Sequence, residues 1–166
     1  MPKSADLLKA ERRWWVLAGL LVLCLAAGWA TGAVTAGPVR TWYPGLAKPA
    51  WMPPAWVFAP VWTALYVMMA VAAFRVWCSD PRFSGTRLAL IFFFVQLGLS
   101  LAWSFVFFGL RSPGLALLDM ALLWAMLALA TYAFFGRDRA AGLLMLPYLA
   151  WMSFAAFLNA AIWMMN

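Results

Sequence analysis

Five long apolar runs alternate along the chain with short stretches that carry nearly all of its charge and much of its proline. They cover residues 14–36, 56–77, 87–109, 113–135 and 141–164. A helix needs about 20 apolar residues to cross a bilayer core, and each run meets that length. The pattern predicts an all-α integral membrane protein, a bundle of five transmembrane helices. Residues 1–13 form a basic N-terminal extension and residues 14–166 a single transmembrane domain, with no separate soluble domain. The first run follows basic residues and ends near Val34, Ala36 and Gly37, as a cleavable signal peptide does. Its length exceeds the usual apolar segment of about 7–15 residues, so it is read as helix one.

Proline and glycine set the boundaries. Between residues 37 and 55 lie Pro38, Pro44, Pro49, Pro53 and Pro54, which remove backbone donors and fix φ. Helix one is therefore expected to stop at Ala36 and residues 37–55 to form the one long loop. Pro113 suits the first turn of helix four. Pro60 and Pro147 fall within helices two and five and predict kinks there. The turns at Arg111 and at 137–139 are short, which predicts antiparallel neighbours.

Composition agrees with the pattern: 67% of residues are hydrophobic and 10% charged, against roughly 25% charged in soluble domains. The net charge of +7 does not point to nucleic acid, because the basic residues sit in clusters between apolar runs. They read as topology signals. Lys3, Lys9, Arg12, Arg13, Arg75, Arg82, Arg87, Arg137 and Arg139 fall on one side of a five-span chain, and only Arg40, Lys48 and Arg111 on the other. The positive-inside rule then puts the N-terminus of this multi-pass protein in the cytoplasm.

Conventional catalytic chemistry is poorly supplied. Histidine is absent, which removes the commonest haem ligand and the commonest general base. No phosphate-binding loop or metal spacing occurs, so neither a metal nor a required cofactor is expected. Cys24 and Cys78 lie at different depths and have no reason to pair.

Three aromatic stretches hold more than a spanning helix needs. Trp42-Tyr43 is followed by Lys48-Pro49-Ala50-Trp51-Met52-Pro53-Pro54-Ala55-Trp56 and then by Trp62 and Tyr66. Helix three carries Gln96-Leu97, Ser100, Trp103-Ser104 and Phe107-Phe108-Gly109, and helix five carries Pro147-Tyr148, Trp151, Phe154-Ala155 and Leu158-Asn159. Trp62 with Tyr66, Trp103 with Phe107, and Tyr148 with Trp151 and Ala155 follow helical spacing, so each set shares a face. Such rings can equally fill a bundle or form interfacial belts, as Trp14, Trp15, Trp29, Trp77 and Trp163 are expected to do near helix ends.

These ordered motifs resemble the TspO/MBR family, the tryptophan-rich sensory proteins that include the mitochondrial translocator protein or peripheral benzodiazepine receptor. The likeness covers nearly the whole chain after Gly28. It implies a five-helix bundle, usually a homodimer in membrane lipid, that binds porphyrins. Family ligand contacts carry over to Tyr43, Pro53, Trp62, Tyr66, Trp103, Trp151 and Ala155. Ser100 stands where relatives often have asparagine, which leaves one polar donor instead of two. Phe107 extends the aromatic wall, and propionates of a tetrapyrrole ligand are expected at Lys48 or Arg40, where desolvation is small.

The expected function is a membrane receptor or transporter that takes protoporphyrin-like planar ligands into an aromatic pocket under the loop, for transport or sensory regulation. Some relatives break down porphyrin under light, and Trp62 and Trp151 match the tryptophans implicated; an enzyme of that kind is the alternative. A sterol or lipid carrier is a further one, yet no basic residue follows Tyr148 to complete the sterol pattern of helix five. Asp119 is the acidic residue deep in a span, either a functional carboxylate or a structural hydrogen-bonding group. Gly98 and Ala102 form a small-residue pair suited to close helix packing.

Overall fold

The computed structural model describes the backbone of residues 4–79 and 84–166, with side chains from Arg13 onward in those stretches. The side chains of Lys3, Lys9, Arg12 and Arg82, part of the charge asymmetry above, lie outside the described residues. Five helices long and apolar enough to span a membrane are present, and no strand occurs among the described residues. They are α1 (Ser4–Thr41), α2 (Phe58–Ser79), α3 (Ser84–Ser104), α4 (Pro113–Phe135) and α5 (Arg139–Met165).

Around the bundle the order is α1, α2, α5, α4, α3, and the end of α3 closes the ring against α1. Small residues make this possible: Ala70, Ala72, Ala73, Ala89, Ala116, Ala130 and Ala141 are fully buried, so backbones approach closely where lipid offers no hydrophobic drive for association. Among its described side chains α1 buries only Cys24 and Ala27, which makes it the thin wall of the bundle.

Three boundaries depart from expectation. Helix one does not stop at Ala36 but runs through Pro38 to Thr41. A proline removes one amide, while its own carbonyl still accepts, here from the Trp42 amide at 2.9 Å. Pro60 produces no mid-helix kink, because a 3-10 turn at Ala55–Val57 precedes α2 and leaves Pro60 in the first turn, where no partner is lost. Pro147 does lie inside α5. The end of helix three is a π-helical turn, Phe105–Gly109, closed by the Leu110 amide on the Phe105 carbonyl at 3.0 Å. Arg111 follows with φ of 53°, a left-handed residue that turns the chain into α4.

Each end of the bundle has its own tie. At the loop end the Asn166 side chain pairs with the backbone of Ala47 in both directions, at 2.9 and 3.1 Å. At the other end Arg75 of α2 makes a two-pronged contact with Asp138, at 3.0 and 2.9 Å. Asp138 also caps α5 by accepting the Ala141 amide at 2.8 Å. The Arg75 guanidinium first, and the cap second, hold the Asp138 carboxyl below its ordinary range. Cys24 and Cys78 are both free thiols.

Candidate ligand cavity

Beneath the loop, α1, α2, α5 and the α3 end enclose a cavity of about 720 Å³, while α4 contributes nothing to its wall. That volume falls within the range of pockets that engulf a small organic ligand. Trp62 and Tyr66 come from α2, Trp103 and Phe107 from the α3 end, Trp151 and Ala155 from α5, and Tyr43 from the loop; all seven line it. The faces expected from helical spacing therefore converge on one hollow rather than on lipid.

The rings are held by one another. Trp62 lies 5.6 Å from Tyr66 and 6.0 Å from Tyr148, Phe58 lies 5.7 Å edge-on to Trp151, and Trp103 lies 5.3 Å from Phe107. The loop closes over them, with Trp42 and Tyr43 set against Phe107 at 5.8 and 6.2 Å. Within the π turn the consecutive residues Phe107 and Phe108 both reach the cavity wall.

Lys48, Pro53 and Ser100 do not line the cavity. The Lys48 ammonium is bound to the loop carbonyls of Leu46 and Pro44 at 2.9 and 3.3 Å and lies 4.8 Å over the Tyr43 ring. It closes the loop on itself. Arg40, at the end of the lengthened α1, takes the wall position. In the loop itself it is Met52, next to Pro53, that reaches the cavity and accepts the Tyr43 hydroxyl at 3.5 Å; burial raises the Tyr43 phenol above its usual range. Ser100 is buried behind the wall, facing the phenols of Tyr66 and Tyr148. Tyr148 is itself wholly buried and outside the cavity, unlike Trp151 and Ala155 on the same helix.

Other wall residues were not among the expected ligand contacts. Trp29, expected in an interfacial belt, is 77% exposed and also borders the cavity from α1. Gly28 faces Tyr66 so closely that a Cβ there would fall 2.7 Å from the ring. Asn159 accepts the Trp103 indole N–H at 3.0 Å and donates to the Pro113 carbonyl at 2.8 Å. It thus ties α5 to α3 and α4 at the wall. The helix-five motif already contained it, without a role.

The chain matches the family model described as the TspO/MBR family over residues 20–164. It is 41% identical to "Tryptophan-rich protein TspO" of Chlorobaculum tepidum over 150 residues, covering 90% of this chain and 95% of that protein. It is 34% identical to "Translocator protein" of Sus scrofa over 154 residues, 92% of this chain and 91% of that one. Against "Tryptophan-rich sensory protein" of Cereibacter sphaeroides the figures are 42% over 118 residues, 71% and 72%. A match of this extent, on a chain whose five apolar helices fold into one bundle, means that this multi-pass integral membrane protein belongs to the TspO/MBR family.

Proposed function

We propose that the cavity receives a planar tetrapyrrole of the protoporphyrin type, and that the protein serves as a membrane receptor or transporter for it. The observation that carries this reading is the meeting of Trp62, Trp103 and Trp151, from three helices, around one hollow of about 720 Å³. Aromatic faces favour a flat conjugated ring, because offset or edge-on contacts add about 0.5–1.5 kcal/mol each beyond the area buried. Arg40 at the loop end supplies a positive charge for propionates, which then stay near water instead of entering the apolar slot.

The orientation that follows from charge has the N-terminus in the cytoplasm and the loop on the far side. The relatives named as a translocator and as a sensory protein favour a transport or sensory role for this chain too. Homodimerisation in lipid belongs to the same proposal, with the exposed Gly98 as a point of close approach.

Light-driven breakdown of the pigment is a second reading, favoured by one observation: Trp62 and Trp151 stand on the wall of the same cavity. One titration addresses both. Protoporphyrin added in the dark to the purified protein quenches tryptophan fluorescence if the ring lies among these indoles. Subsequent illumination bleaches the bound pigment only under the enzyme reading, and less in a Trp62→Phe, Trp151→Phe variant. Absence of saturable quenching defeats the tetrapyrrole proposal altogether.

A further inference from the structure

The helices that wall the cavity also meet just behind it around polar side chains in an otherwise apolar core. Gln96 and Ser100 stand one turn apart on α3 and are buried to 0% and 3% exposure. Tyr148 of α5, at 0% exposure, faces Ser100, and so does Tyr66 of α2. The Gln96 amide nitrogen reaches the Met69 sulfur at 3.8 Å, a weak acceptor. Two strong groups are left over: the Tyr148 hydroxyl and Gln96 Oε1 have no hydrogen-bonding partner among the described residues.

Buried polar groups are nearly always satisfied, and in a membrane core no solvent stands by to do it. The two orphans are complementary. A phenol O–H needs an acceptor and an amide oxygen needs a donor, and one hydroxyl group offers both. Gln96 lies one helical turn, about 5.4 Å along α3, from Ser100, which faces the Tyr148 phenol, so the two orphans border the same part of the core.

We propose that Tyr148 and Gln96, with Ser100, form a polar annex behind the Tyr66 wall of the aromatic cavity that binds a hydroxyl group. Water fills this role in the free protein, and a hydroxyalkyl substituent of the ligand takes it over. Tyr66 is the partition between the two compartments, since its ring lines the cavity while its phenol faces Ser100. Rotating that ring into the cavity opens the way. Gly28, against which the ring rests, lies about 18 Å along α1 from Arg40, at 1.5 Å per residue. A tetrapyrrole with its propionates at Arg40 thus presents its opposite edge to Tyr66. The annex selects, within the tetrapyrrole reading on which this part rests, for rings that carry hydroxyethyl rather than ethyl groups on that edge.

Two measurements test it. In dark titrations the wild type should bind haematoporphyrin, with hydroxyethyl groups, about fivefold more tightly than mesoporphyrin, with ethyl groups, as expected for one net hydrogen bond. Tyr148→Phe and Gln96→Leu should each abolish the difference. Equal affinities in the wild type, or a preference for mesoporphyrin, overturn the ligand-selecting role. The second measurement uses no ligand. Deleting a hydroxyl that has no partner should leave stability unchanged or raise it, whereas deleting one that holds water should lower it. A reduced melting temperature of Tyr148→Phe supports the annex, and an unchanged or raised one removes it. Should neither porphyrin bind, the tetrapyrrole reading fails and this ligand-free comparison still decides whether the annex exists.

Discussion

Replacing Asn159 by leucine is the sharpest probe of how the cavity wall is held. Asn159 is 2% exposed and makes two inter-helix hydrogen bonds, to the Trp103 indole and to the Pro113 carbonyl. Leucine keeps the branched outline of asparagine but carries bulkier methyl groups, so a packing cost adds to the polar one. The Pro113 carbonyl starts α4 and keeps its helical partner, so its loss is small. The indole N–H is left without a partner; in a water-soluble core that would cost about 1–3 kcal/mol. Hydrogen bonds between membrane helices average nearer 0.6 kcal/mol and reach about 1.7, because the unfolded helices in the bilayer also find partners. We therefore expect Asn159→Leu to destabilise the bundle by about 1–2 kcal/mol. A double-mutant cycle with Trp103→Phe, read by reversible unfolding in mixed micelles, should show a coupling of about 0.6–1.7 kcal/mol. A coupling within about 0.3 kcal/mol of zero, the usual scatter of additivity, refutes the view that Asn159 fixes the Trp103 ring.

Three further substitutions probe separate parts of the structure. Gly28→Ala gains helix propensity of about 1 kcal/mol but drives a methyl to within 2.7 Å of the Tyr66 ring, an overpacking cost of about 1–3 kcal/mol; the melting temperature should fall and tryptophan emission change as Tyr66 presses on Trp62, and a raised melting temperature contradicts the contact. Ala155→Thr thickens a wall of the cavity and should weaken protoporphyrin binding about tenfold in a dark titration with little change in stability; an unaltered Kd takes Ala155 out of the wall. Asp138→Ala removes both the α5 cap and the Arg75 pair, and should cost about 1 kcal/mol, most of it from the cap because the pair is exposed to solvent. Since the Asp138 carboxyl titrates lower in the folded protein than in the unfolded chain, its contribution is whole above the ordinary aspartate range and fades as pH falls through the lowered folded value. As pH falls below the ordinary aspartate range, about pH 4, the stability gap between wild type and Asp138→Ala should therefore narrow, and a gap that does not narrow at all under acid speaks against an ionised cap.

Much of this architecture is written in one dimension. Span number and rough limits follow from the length of apolar runs, because a bilayer admits backbone only as hydrogen-bonded helix of a fixed minimum length. The 113–135 helix is legible to the residue, its start marked by Pro113. The aromatic faces are legible as well, since four-residue spacing forces Trp62 with Tyr66 and Trp103 with Phe107 onto common sides.

What lies between helices was decided by packing, which a linear pattern does not carry. Periodicity shows that Tyr148, Trp151 and Ala155 share a face, but only the crossing of α5 with α2 sinks Tyr148 into the core and leaves the other two on the cavity. Lys48 and Arg40 look alike as loop cations; the carbonyls that hold Lys48 and the extra turn of α1 that carries Arg40 to the wall exist only in the folded chain. The π turn, the Asn159 tie and the meeting of Gln96, Ser100 and Tyr148 likewise depend on how the helices pack. Local sequence sets the helices, because their hydrogen bonds are local; the cavity belongs to contacts between residues up to 119 positions apart, as the Ala47–Asn166 pair that ties down its loop illustrates.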